Sequence, residues 1–329
     1  MFKQKLKIRN LIQLVFTLIV LYIGVTFVLF VTPLKNGLDP KVTRPAGVEA
    51  FLPIDALIGL KVWLTTGIFD WIHPAGLVIF LAALVISIFF KRAFCSWICP
   101  LGTLAEGLAK VGKKLMGRNL IVPRWLDYLL RTLKYLLLSL FLVFILGGMS
   151  SSQALVFLQS DYNMITDVKM LRFFQNLSGT GIIVVTGLLI FSILVENFWC
   201  RYLCPYGALL GVISIVSPWK ITRNQASCSS CGLCNKACSN LIEINRAKKI
   251  WSPECTGCLD CVVVCPVPGT LEFKVPIQER AISPRFMALT VIALWLVFIV
   301  AAKATGHWET SITTQMYKVL IPMADRIGL

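Results

Sequence analysis

The chain has 329 residues, is 57% hydrophobic, and carries 32 Lys+Arg against 16 Asp+Glu, a net charge of +16. With a mean hydropathy of +0.78, this composition excludes an ordinary soluble globular protein and calls for membrane spans. A charge of +16 invites nucleic acid as a partner. Basic residues that flank apolar stretches, however, serve topology and contact with membrane lipid first, so no nucleic-acid partner is expected.

In chain order, about five stretches suit helices that cross a bilayer: residues 11–32, 71–90, 129–149, 173–195 and 286–302. Each is close to the ~20 residues that hydrocarbon demands. The third holds Arg131 and Lys134 near its start, where long basic side chains can snorkel, and the fifth is short. Lys3, Lys5, Lys7 and Arg9 precede the first stretch. It is too long for a secretory signal and no small-residue cleavage site follows, so it reads as a retained helix. With the N-terminus inside, segments 1–10, 91–134 and 196–285 hold 23 Lys+Arg against 8 acids, whereas 33–72, 150–176 and 303–329 hold 9 against 8. The positive-inside rule then places the N-terminus in the cytoplasm and the C-terminus outside. All twelve cysteines fall on the inner side, where a reducing compartment suits thiolates reserved for metal.

The outer segment before the second stretch is too long for a turn, and its apolar part, 51–63 with Asp55 and Lys61 interspersed, suggests a helix lying in the interface. At the outer mouth of the second stretch stand Asp70 and His73. They are the candidates for a proton acceptor, set against the plainer reading of His73 as an interfacial residue. With only His73 and His307 in the chain, a transmembrane pair of bis-histidine haems is excluded, and a single haem between the two is not favoured.

The second stretch delivers Phe94-Cys95-Ser96-Trp97-Ile98-Cys99-Pro100, and the fourth delivers Trp199-Cys200-Arg201-Tyr202-Leu203-Cys204-Pro205, the same C-x3-C-P pattern at an offset of 105 residues. The first four stretches therefore read as two copies of a two-helix unit in one orientation, related by a pseudo-twofold that would bring equivalent cysteines together. Proline suits the first helical position, so Cys99 and Cys204 are expected as caps with helices opening at Pro100 and Pro205. A helix N-terminus favours thiolate and an anionic cluster. Three readings stand for Cys95, Cys99, Cys200 and Cys204: small buried hydrophobes, a joint metal site such as one further iron–sulfur cluster, or redox-active or copper-handling thiols. Between the copies, 103–120 carries Lys110, Lys113, Lys114 and Arg118 among leucines and reads as an interfacial helix.

Cys228, Cys231, Cys234 and Cys238, then Cys255, Cys258, Cys261 and Cys265, form two C-x2-C-x2-C-x3-C runs, the second closing with Pro266. That spacing holds two [4Fe-4S] clusters in bacterial ferredoxins, the fourth cysteine of each run reaching the other cluster. One cluster is thus expected on Cys228, Cys231, Cys234 and Cys265, and the other on Cys255, Cys258, Cys261 and Cys238. Structural zinc is the rival reading, but two complete four-cysteine runs in tandem suit it poorly. Ser239 stands where proline would be expected after the first run, which removes no ligand. The fold expected is mainly α, a polytopic membrane protein with about five transmembrane helices in a duplicated two-helix unit plus a small cytoplasmic α+β ferredoxin-like domain. Its divisions are 1–110 and 111–220 for the repeats, 221–275 for the ferredoxin domain, and 276–329 for the fifth span and an outer tail without a usable motif.

With these motifs the chain resembles the membrane polyferredoxins, typified by the quinol dehydrogenase subunit of periplasmic nitrate reduction. It is also similar to the membrane core of the regulatory protein of nitrous oxide reduction, without that protein's outer flavin-binding domain. The resemblance covers the first span to Pro266; the fifth span and outer tail depart from the simplest four-span members. It implies an electron carrier of the bacterial cytoplasmic (inner) membrane, working between the quinone pool, its clusters and another redox protein, with quinone as substrate. Two other readings remain. One is a protein that reduces copper or assembles a metallocentre with the same clusters; the other is a cluster-based redox sensor. No nucleotide-binding loop or flavin attachment site is present, which disfavours a self-sufficient NAD(P)H oxidoreductase.

Overall fold

Apolar runs make most of the long helices here, and proline starts five helices. The computed structural model describes residues 2–275 and 281–327. Its elements in order are α1 (Phe2–Lys35), a 3₁₀ turn (Ala46–Phe51), α2 (Pro53–Thr66), α3 (Pro74–Phe90), α4 (Ala93–Trp97), α5 (Pro100–Met116) and α6 (Arg124–Leu142), which continues as a π-helical turn (Val143–Gly148). Then come α7 (Ser151–Leu158), α8 (Asp161–Met164), α9 (Thr166–Gln175), α10 (Gly179–Leu194), a π-helical turn (Trp199–Leu203) and α11 (Pro205–Ile213). A ferredoxin-like part follows with β1 (Lys220–Arg223), α12 (Leu233–Lys236), α13 (Asp260–Val264) and β2 (Leu271–Lys274), before α14 (Pro284–Ala304) and α15 (Thr314–Leu320). Helices α2, α3, α5, α11 and α14 all open on proline, whose fixed φ and missing N–H cost nothing at that position.

Three helical stretches are long and apolar enough to cross a membrane: Ile8–Lys35, Arg124–Gly148 and Pro284–Ala304. Leu14, Leu18, Tyr22, Val25 and Leu29 on α1 are exposed, as side chains facing lipid must be. The expected second and fourth spans differ from these. Helix α3 begins only at Pro74 and has 17 residues, about 25 Å at the helical rise, against hydrocarbon about 30 Å thick. Helix α10 has 16 residues and is bent by 83° from α9. The break falls where Asn176, Leu177 and Ser178 interrupt the helix. Three spans, or four if the bent pair is one, is thus what length and composition support among the described residues. The expected division at 276 abuts residues 276–280, which lie outside the described residues.

The chain packs as two compact units. One comprises Met1–Thr17, Ala83–Leu138 and Val184–Trp295; the other comprises Leu18–Ala82, Ser139–Ile183 and Leu296–Leu329. This is a division by packing, and it cuts the chain differently from a division by repeat and motif. In the first unit, β1 and β2 pair antiparallel with Ile221 opposite Phe273. Those two side chains share a core with Ile244, Ile250, Leu259 and Leu271 and with Cys234, Cys255 and Cys261. The second unit has one core of Phe27, Phe30, Leu34, Ile165, Tyr317 and Ile321, and another where Ile58 and Val62 meet Ala154 and Leu158.

Candidate metal centre

The first C-x3-C-P motif is set by a reversal of the chain after α3. Lys91 takes a positive φ of 60°, turning the backbone into α4, which carries Cys95. Cys99 is extended at φ −64°, ψ 121° and caps α5, with Pro100 in the first turn. A side chain at residue 102 is impossible without movement, because a Cβ on Gly102 would lie 2.1 Å from the Cys95 carbonyl oxygen. The second motif repeats this local geometry. Cys204 caps α11 at φ −72°, ψ 106°, again with Pro205 in the first turn, and its Sγ accepts a hydrogen bond from the Gly207 amide at 3.2 Å. Amides of Leu101 and Gly102 face the Cys99 thiol in the same way.

Cys200 lies within electrostatic reach of Cys95, Cys99 and Cys204, so the four sulfurs share one neighbourhood. Burial pushes the Cys95 thiol up to about 12 and the Cys99 thiol to about 11, and raises Cys200 and Cys204 too. Thiols so held are neutral until a metal cation displaces the protons. The compensating charge is Arg92, which donates to the Gly207 carbonyl at 3.0 Å and to the Glu254 carbonyl at 2.6 Å. Glu254 gathers Arg92 at 3.1 Å and Lys134 at 2.6 Å, and accepts from the Tyr135 hydroxyl at 2.8 Å. Burial opposes its charge, but Arg92 and Lys134 outweigh that and hold the carboxyl at about 2.

Glu254 immediately precedes the second ferredoxin run. The loop that follows is bound to α4: Ser96 Oγ donates to the Thr256 carbonyl at 2.8 Å and Trp97 Nε1 to that of Gly257 at 3.1 Å. Both runs use one backbone form. Ser230 and Gly257, then Gly232 and Leu259, occupy equivalent places and all have positive φ, between 54° and 71°. That form brings the first three cysteines of a run to one concavity. Cys228, Cys231, Cys234 and Cys265 line one cavity with Arg223 and Pro266. Cys255, Cys258, Cys261 and Cys238 line another with Ile221, Ile242 and Ile250. Arg9 reaches Glu106 at 3.0 Å and Asp260, at the start of α13, at 3.1 Å.

All twelve cysteines are free, and each cavity offers four, the donor set a [4Fe-4S] cluster takes. Among the described residues no three His, Cys, Asp or Glu side chains converge on one ion position. A single zinc needs that convergence, whereas a four-iron cluster gives each iron its own cysteine and keeps the sulfurs apart.

Asp70 and His73 belong to the other unit. His73 is wholly buried, with Nε2 2.8 Å from the Asn163 carbonyl oxygen and Nδ1 3.7 Å from Glu49. Sequence reading missed Glu254, Arg92, Glu49 and Asp167 as site neighbours. Asp55 inside an apolar run and Lys134 inside an expected span were the signals available, since ionised groups rarely sit in apolar stretches without a role.

Cysteine-lined cavities in a helical chain with lipid-facing apolar surface define a membrane iron–sulfur protein of the electron-transport class. A 4Fe-4S binding domain model matches twice, over residues 72–119 and 177–224, which carry the two C-x3-C-P motifs. YccM of Escherichia coli (strain K12) is 42% identical over 326 residues, 97% of this chain and 91% of YccM. The chain belongs to this family of membrane polyferredoxin-type electron transport proteins. Protein NirI of Paracoccus denitrificans (strain Pd 1222) is 30% identical over 203 residues, 60% of this chain and 28% of NirI. Ferredoxin-type protein NapH of Escherichia coli (strain K12) is 26% identical over 218 residues, 64% and 61%. No solved structure matches.

Proposed function

We propose that the protein relays electrons between the quinone pool and a partner redox enzyme. Two [4Fe-4S] clusters sit on Cys228, Cys231, Cys234 and Cys265 and on Cys255, Cys258, Cys261 and Cys238, and a further one is held jointly by Cys95, Cys99, Cys200 and Cys204. The observation that carries this reading is the sorting of eight cysteines between two cavities in the crossed pattern, beside four more sharing a buried neighbourhood. Its setting is the bacterial inner membrane, with the cysteines and N-terminus cytoplasmic. YccM carries a name that assigns it provisionally to electron transport, and NapH is named ferredoxin-type, in keeping with this.

When bound, such clusters accept and pass on one electron at a time. The chain's own part is to hold and insulate. Ile221, Ile244, Ile250 and Leu259 keep water from the Cys255 cavity, and the α5 and α11 N-termini aim amides at Cys99 and Cys204. Arg92 offsets the negative charge that four thiolates bring. The loop bonds from Ser96 and Trp97 keep the second cluster's site registered on the C-x3-C-P site, which fixes the distance an electron must cross.

The test is anaerobic purification with iron and sulfide quantitation, then EPR before and after a quinol is added. About twelve irons per chain supports all three sites, whereas about eight supports the ferredoxin pair alone. Zinc in place of iron, or clusters that no quinol and no protein reductant reduces, refutes the relay.

A further inference from the structure

Two lysines lie buried side by side next to the second ferredoxin run. Lys91, at the turn after α3, is wholly buried, and Lys220, which opens β1, is buried too. Lys91 Nζ has no hydrogen-bond partner among the described residues. It neighbours the Lys220 ammonium, and the group able to carry negative charge that acts on both is the Cys255 sulfur. No carboxylate among the described residues pairs with either lysine. Lys220 Nζ donates to the Ser217 carbonyl at 2.8 Å and to that of Ile215 at 3.0 Å, and stands 3.8 Å from the centre of the Trp251 ring.

The backbone holds Lys91 against that run. Its φ is 60°, its amide donates to Ser217 Oγ at 3.3 Å, and Ser217 Oγ donates to the Phe89 carbonyl at 2.6 Å. The next amide, that of Arg92, donates to the Cys255 carbonyl at 3.4 Å. Gly257 packs here as well, since a Cβ on it would lie 3.6 Å from Lys91 Cβ. Two ammoniums buried together are stable only beside an anion. A [4Fe-4S] cluster on four thiolates is an anion when oxidised, and one charge more so when reduced. Strand β1 carries a cation to the other cavity too: Ile221 lines the cavity of Cys255, and Arg223, half-buried, lines that of Cys228.

We propose that Lys91 and Lys220 are the counter-charge of the cluster on Cys255, Cys258, Cys261 and Cys238, and that they raise its reduction potential, favouring the one-electron step onto it. This rests on the cluster assignment above. Reduction adds one electron to the cluster, and no bond of the chain forms or breaks. The two fixed positive charges stabilise the added negative one, and burial keeps water and salt from screening them. Arg223 acts in the same way on the cluster at Cys228, more weakly because solvent reaches it.

The test is a redox titration of anaerobically purified full-length protein in nanodiscs, followed by EPR, with iron content measured for each variant. Cys258→Ser, which removes a ligand of the second run, identifies the signal of that cluster. Lys91→Met should shift that cluster's reduction equilibrium about tenfold toward the oxidised form, a midpoint about 59 mV lower for one electron, and leave the other midpoint in place. Iron content should hold, because an apolar side chain of similar shape replaces a buried cation that has no hydrogen bond to lose. Lys220→Met should move the same signal the same way, and Lys91→Arg, which keeps the charge, should restore the wild-type midpoint. Arg223→Met should move the other signal, by less, and Lys248→Met, at an exposed position, should move neither. If Lys91→Met and Lys220→Met keep both midpoints, shift both alike, or both lose their iron, the proposal falls while the cluster assignment stands. If the reduced wild type shows no [4Fe-4S] signal, both fall.

Discussion

Replacing Glu254 with glutamine leaves Arg92 and Lys134 buried without their shared anion. Glu254 is 3% exposed and Arg92 2%, so water cannot take its place. Held at about 2 in the folded protein against an ordinary 4.5, the carboxylate contributes about 3 kcal/mol at neutral pH, from about 1.4 kcal/mol per unit. Breaking a buried pair from one side costs a similar ~3–5 kcal/mol. Because its folded value is depressed, the contribution is present above about 4.5 and is lost as pH falls through about 2. Chemical denaturation in detergent, followed by circular dichroism, should therefore show Glu254→Gln less stable by about 3 kcal/mol at pH 7, with the gap narrowing below about pH 4.5. Glu254→Gln should also raise the reduction potential of the cluster at Cys255, because it adds net positive charge beside it. An unchanged denaturation midpoint at pH 7 would refute the reasoning, since it would mean that Arg92 and Lys134 find equal partners elsewhere.

Gly102→Ala places a methyl 2.1 Å from the Cys95 carbonyl oxygen; it should cost about 1–3 kcal/mol and lower the iron content, while Gly107→Ala, with nothing within 4 Å, should do neither. Cys265→Ser should disturb the EPR signal of the cluster on Cys228, Cys231 and Cys234, and Cys238→Ser that of the other; the reverse outcome, read from the signal left in each variant, would overturn the crossed assignment. His73, raised to about 10 from 6.5, stabilises the fold fully below about pH 6.5 and loses that effect as pH rises toward about 10. The stability difference between wild type and His73→Gln, measured by thermal unfolding, should shrink over that interval.

The grouping of the cysteines was legible because the spacing within 228–234 and 255–261 brings three of each run together, while the fourth, Cys238 or Cys265, lines the other run's cavity. The caps at Cys99 and Cys204 were legible because a following proline dictates backbone geometry whatever the rest of the fold does. The count of spans was less so. Neither 71–90 nor 173–195 holds Lys, Arg, Asp or Glu, but Pro74 starts one helix late, and the break before Gly179 lets α9 and α10 part by 83°. The neighbours of the sites were not legible at all. Residues 92, 134 and 254 are scattered in sequence, and the partner of His73 is a backbone carbonyl at Asn163, which no side-chain pattern announces. Even the tail from His307, without a motif, supplies a wall of an aromatic groove and the bonds that fix Trp71.

All twelve cysteines belong to one compact unit and both histidines to the other. Oxidants attack thiolates and the clusters they bear, whereas acid and alkali act on imidazole and carboxylate. Peroxide therefore acts on the unit that holds the cysteines, whereas both imidazoles of the chain lie in the other.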